Sequence, residues 1–148
     1  MGIEWEIACV DRRSGELSPA APDLLAQTGP TDSYPHVTNE LLTNTVEIVS
    51  APHRHARDAV NDLTGLVERV ISFAEPLGVD LISAGTHPFS LFERQRITAK
   101  DRYRQLVDQL QYIARRELIF GMHIHVAIDG PEKAIKVMNG LLPQLAPL

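Results

Sequence analysis

No stretch of this chain approaches the roughly 18 consecutive apolar residues that a membrane-crossing helix needs, which sets aside an α-helical membrane protein. Cysteine is almost absent: Cys9 stands alone among 148 residues, so no internal disulfide can form. That usage fits a reducing cytoplasm, where we expect the protein to reside. Aromatic residues make up only 5%, with a single tryptophan, and no block of Lys and Arg occurs. With a formal net charge of −5 the chain offers no electrostatic footprint for a polyanion, so nucleic acid is not an expected partner. The opening MGIEWEIACV carries acidic residues where a signal peptide needs Lys or Arg. It also lacks the Ser or Thr of a myristoylation motif, so no membrane partner is expected.

What the chain does contain is globular in balance, 44% hydrophobic and 22% charged, and long enough for one ordinary domain over residues 1–148. Residues 2–10 alternate apolar and polar as a strand does, and DRRSGE follows as a turn before a short return strand near Leu17. Pro19, Pro22, Gly29 and Pro30 mark an irregular connection with a helical turn at Leu24 to Gln27. HVTNELLTNTVEIVSAP reads as a second extended region, strongest from Thr45 to Ser50 and ended by Pro52. From Ala56 to Ala74 apolar residues recur at helical spacing, and Pro76 and Gly78 stop that helix. Val79 to Gly85 reads as a short buried strand leading into THPF. A second helix is expected from Thr98, capped by its own hydroxyl with Asp101 reaching back, with Tyr103, Leu106, Val107, Leu110, Ile113 and Ala114 as its apolar stripe. A third runs near Pro131 to Leu142, after the strand FGMHIHVAID. The order β-β-β-α-β-α-β-α predicts an α+β fold: a mixed, largely antiparallel sheet with helices packed on one face.

Three of these strands share a feature that solvation alone explains poorly. In FGMHIHVAID, Met122, Ile124, Val126 and Ile128 alternate with His123 and His125, so one face is an apolar floor and the other carries both imidazoles. In GIEWEIAC, Ile3, Trp5, Ile7 and Cys9 oppose Glu4 and Glu6, which leaves Cys9 a buried apolar residue rather than a nucleophile. In NTVEIVS, Glu47 shares a face with Thr45, opposite Val46 and Ile48, and Glu40 lies seven residues upstream. Glutamate forms strands poorly. Two carboxylates at i and i+2 lie about 7 Å apart, and their repulsion reaches roughly 2 to 3 kcal/mol at the effective dielectric of a half-closed cleft. A divalent cation supplies the missing counter-charge, and clustered carboxylates suit Mg²⁺ or Mn²⁺. Imidazole is an unusual ligand for Mg²⁺ but an acceptable one for Mn²⁺. The candidate metal ligands are therefore Glu4, Glu6, Glu40, Glu47, His123 and His125, with one histidine free to contact a phosphate or substrate instead. For Glu4 and Glu6 alone, an exposed hairpin is the competing reading.

These motifs carry a resemblance. GIEWEI, ELLTNTVEIVSAP, LISAGTHPF, RYRQL and IFGMHIHVAID, in this order across nearly the whole chain, resemble the type 2 glutamate–cysteine ligase family of carboxylate–amine ligases. The resemblance implies part of a glutamine-synthetase-like catalytic sheet and ATP with Mg²⁺ or Mn²⁺ as cofactors. It implies activation of the γ-carboxylate of glutamate or a similar acid as an acyl phosphate, and attack by the amine of cysteine or a similar amine. It also implies that Glu4, Glu6, Glu40 and Glu47, with His123 or His125, hold the ions. Members of that family run to more than twice this length, so the expected partners include either a second copy or a complementing chain that supplies further walls.

Secondary candidates are His87, held extended before Pro88, and Arg102, both able to reach a substrate carboxylate or phosphate. A loop-fixing hydrogen bond is the other reading of His87. Tyr103 falls on the apolar stripe and belongs to the core. His53 and His55 diverge by about 200° on a helix and read as solvated. Arg94, Arg96, Arg115 and Arg116 read as surface charges. Two other functions compete with a ligase: a metal-dependent hydrolase, for which no H-x-x-E-H or H-E-x-x-H spacing occurs, and a non-catalytic subunit that works only in an assembly.

Overall fold

A computed structural model of the chain describes residues 1–28 and 36–146, so the expected breakers Gly29 and Pro30 lie outside the described residues. The fold is α+β, built on a five-stranded sheet in which every pairing is antiparallel. Its central strand, β1 (Gly2–Asp11), is the alternating N-terminal segment. On one edge β1 pairs with β3 (Thr45–Val49), which pairs in turn with β2 (Val37–Asn39). Its other edge is shared. β5 (Met122–His125) pairs with Gly2–Trp5, and β4 (Val79–Ile82) pairs with Ala8–Asp11.

The apolar face is covered by α1 (Ala21–Gln27) and α2 (Ala56–Ala74). Ile3, Ile7, Cys9, Val46 and Ile48 from the sheet pack with Leu24, Ala59, Leu63, Leu66 and Val70 from these helices. Burial pushes the Cys9 thiol up to about 12, which suits a core residue and no nucleophile. Pro22 opens α1, so the single helical turn expected at Leu24 is a full short helix. A second cluster forms on the opposite face of the sheet, beside the C-terminal half of β1, so helices pack on both faces and not on one as expected. There Ala8 and Ile82, in phase with the glutamates, meet Leu41, Tyr103, Val107, Leu118 and Phe120.

Several expectations need correction. The return strand at Leu17 is a single bridge to Val10. The second helix is two, α3 (Asp101–Leu110) and α4 (Tyr112–Arg116), broken at Gln111, whose φ of 49° is outside the helical range. Leu110 and Ile113 consequently leave the core stripe and stand exposed. Thr98 does not cap α3; its hydroxyl donates to the Glu40 carbonyl, and Lys100 occupies the cap position. His53 is not simply solvated: its Nε2 meets Asp62 Oδ2 at 2.9 Å. The apolar floor expected beneath the histidines is not buried. Met122, Ile124 and Val126 are 49%, 61% and 64% exposed. The last helix, α5 (Pro131–Leu141), has the expected amphipathic pattern yet buries none of its residues.

Candidate metal centre

The register of the sheet gathers the acidic and imidazole groups, because residues directly opposite in antiparallel strands share a face. Glu6 stands opposite Glu47 across β1 and β3, and Glu4 stands opposite His123 across β1 and β5. Thr38 is the partner of Glu47 on the far side, and Glu40, two residues on, keeps the same phase. All six predicted ligands therefore point from one face. They resolve into two triads, Glu6 with Glu40 and Glu47, and Glu4 with His123 and His125. Within each triad one ligand atom per residue lies within 4.8 Å of the others.

The two triads differ electrically. Glu4 Oε2 lies 3.0 Å from His125 Nε2 and 3.4 Å from His123 Nδ1. The hydrogen bond from His125, above all, holds the Glu4 carboxyl below its ordinary value. The carboxylate triad contains no imidazole. Burial first, and then the charges of Glu40, Glu4 and Glu6, push Glu47 up to about 7. A divalent ion bound among these carboxylates would offset that repulsion. The donor set also fits: four carboxylates suit Mg²⁺ or Mn²⁺, and two imidazoles favour Mn²⁺. The other carboxylates are held by backbone. Gly121 N–H donates to Glu6 Oε2 at 2.8 Å and Leu41 N–H to Glu40 Oε2 at 2.8 Å.

Beside the carboxylate triad opens a cleft of about 260 Å³ lined by Glu6, Glu40, Thr45, Glu117, Gly121 and His123, among others. A second of about 410 Å³ lies at the imidazole end, with Glu4, Val49, Pro52, His125 and Val126 on its walls. Glu117 and Gly121 escaped the sequence reading, which places Thr45 on the face of Glu47. Gly121 could have been found by continuing the period-two phase back from His123. Glu117 follows α4 in no regular pattern and left no such signal.

The other two predicted residues separate. Arg102 stacks over the Tyr103 ring at 4.5 Å and donates to its hydroxyl, while Glu40 and Glu47 lie close enough to raise the guanidinium above its ordinary value further. Arg102 thus borders the carboxylate triad. His87 does not join the face. It is buried, its Nε2 donating to the Gly15 carbonyl at 3.0 Å and its Nδ1 accepting from Ser90 N–H at 3.0 Å. Both ring nitrogens are thereby committed to holding a loop.

With this geometry in place, comparison with known proteins is informative. The family model described as glutamate–cysteine ligase family 2 matches residues 1–148. A protein of Clavibacter michiganensis subsp. michiganensis named "Putative glutamate–cysteine ligase 2" is 51% identical over 98% of this chain and 38% of its own length. Proteins of the same name from Leifsonia xyli subsp. xyli and Micrococcus luteus are each 44% identical over 96% of this chain, covering 38% and 37% of theirs. The chain thus spans under two fifths of the length of the curated relatives it matches. Among the described residues no helix is long and apolar enough to cross a membrane.

Proposed function

The chain belongs to glutamate–cysteine ligase family 2, and on that premise we propose that its polar sheet face is the ion-holding wall of an ATP-dependent carboxylate–amine ligase. The observation that supports this most is the pair of ligand triads on one face. Glu6, Glu40 and Glu47 would hold one Mg²⁺ or Mn²⁺, and Glu4 with His123 and His125 a second. Bound there, the ions supply positive charge to the nucleotide phosphates as phosphoryl transfer develops.

In the reaction, an oxygen of the substrate γ-carboxylate attacks the terminal phosphorus of ATP, and ADP leaves. The acyl phosphate then loses phosphate as the amine of cysteine, or a similar amine, forms the γ-glutamyl amide. The protein's own contributions are positional. Backbone N–H groups fix one oxygen each of Glu6 and Glu40, and Glu4 orients two imidazoles. Arg102, stacked on Tyr103, would meet a substrate carboxylate or a phosphate. We keep a cytoplasmic location as part of this reading.

The uncovered side of β5 belongs to the same proposal. Met122, Ile124 and Val126, together with Ile135, Met138 and Leu141 of α5, are all exposed. Since the relatives carry more than half of their length beyond the matched part, we assign this surface to the corresponding family polypeptide, whether borne on this chain or another. That polypeptide would cover the back of the histidine strand and close the cleft.

Nucleotide dependence tests the reading against a metal-dependent hydrolase. Mg·ATP at a hundredfold excess over its Kd should stabilise the chain by about 2.7 kcal/mol in thermal melts. Mn²⁺ binding with no response to ATP would favour the hydrolase.

A further inference from the structure

Gly121 occupies the seam between the two triads. It shares the phase of His123 and His125, so it lies on the polar face. Its N–H donates to Glu6 Oε2 at 2.8 Å, and its carbonyl accepts the Glu6 N–H at 2.9 Å. Backbone conformation does not require glycine here, because among the described residues only Gly15, Gly78, Gly130 and Gln111 have positive φ. Space does not forbid a β-carbon either, since its nearest neighbours lie at ordinary contact distance. A β-carbon at Gly121 would stand 3.5 Å from Glu6 Oε2 and 3.5 Å from His123 Nε2. His123 turns its other nitrogen, Nδ1, toward Glu4. The bare α-carbon is therefore flanked by an oxygen of the carboxylate triad and a nitrogen of the imidazole triad.

We propose that Gly121 is a positioning residue for a two-ion arrangement, holding Glu6 by its N–H and keeping clear the gap through which the two triads face each other. The inference rests on the divalent-ion reading of this face. A side chain at position 121 would stand between Glu6 of one triad and His123 of the other. Alanine is the informative substitution, since its β-carbon meets both neighbours at ordinary contact distance and displaces neither. Valine adds methyls that must push against Glu6 or His123.

The test is a calorimetric titration of the full chain with Mn²⁺ alone, paired with melting of the ion-free protein. Wild type should bind two ions. Gly121→Ala should melt as wild type does yet lose about tenfold in affinity for one ion, the scale on which outer-shell changes act. Gly121→Val should lose more. Wild-type Mn²⁺ affinity in Gly121→Ala, or a loss that simply tracks a lower ion-free melting temperature, overturns the positioning role. Failure of wild type to bind Mn²⁺ overturns the ion reading instead.

Discussion

Glu47→Gln is expected to make the ion-free chain more stable above neutral pH while weakening its grip on Mn²⁺. Burial and the neighbouring Glu40, Glu4 and Glu6 raise this carboxyl from 4.5 to about 7. Between those values the folded chain keeps a proton that the unfolded chain has released, so stability falls as pH rises and is lowest once pH passes about 7. An amide at position 47 does not titrate, and this penalty disappears. The group is only half-buried, so solvent screening limits the gain to the order of 1 kcal/mol. The loss in Mn²⁺ affinity should exceed the roughly 10- to 100-fold typical of an outer hydrogen-bond partner, because a direct ligand is removed. Melting curves in a chelator from acid to mildly alkaline pH, followed by Mn²⁺ titration, read both effects. A variant less stable than wild type above neutral pH, with unchanged Mn²⁺ affinity, contradicts the ligand assignment of Glu47.

The second large effect concerns the open side of β5. On the proposed ligase reading, supplying the polypeptide that the Clavibacter relative carries outside its matched part should raise γ-glutamyl-amide formation and ADP release above the level of this chain alone. The physical basis is burial. Met122, Ile124 and Val126 are about half or more exposed, and covering what remains exposed of three such side chains yields roughly 1 to 2 kcal/mol each. Co-expression, co-purification and an assay for ADP requiring both glutamate and cysteine measure it. Amide-exchange protection of residues 122–126 in the complex should rise at the same time. Formation of a homodimer that excludes the added polypeptide, with residues 122–126 still unprotected, contradicts the assignment of this surface.

How far the sequence anticipated these features depends on what kind of signal each one leaves. Strand alternation is local and strong, so β1, β3 and the polar phase of Glu4, Glu6, Glu47, His123 and His125 were all legible before any coordinates. Register then brought them together, since Glu6 faces Glu47 and Glu4 faces His123. That pairing is a long-range property no single segment carries. Glu40 lies just past β2, and its place in the triad follows from β2 pairing with β3. The misreadings have physical causes too. Thr98 looked like a helix cap because Asp101 stands three residues on, but its hydroxyl found the Glu40 carbonyl first. Gln111 breaks a helix that periodicity alone would continue. For His87 the loop-fixing reading holds, since both of its nitrogens are committed to backbone. The apolar phase of β5 was read correctly as apolar and wrongly as buried, because alternation reports chemistry and not the presence of a covering layer.

Electron paramagnetic resonance of Mn²⁺ added to the ion-free chain tests the two-triad face most directly. The account predicts that the first and second equivalents both bind and that the second brings spin coupling between neighbouring ions, lost in Glu6→Gln. Mn²⁺ that stays free in solution, or a single isolated bound ion whose spectrum is indifferent to Glu6→Gln, would contradict it.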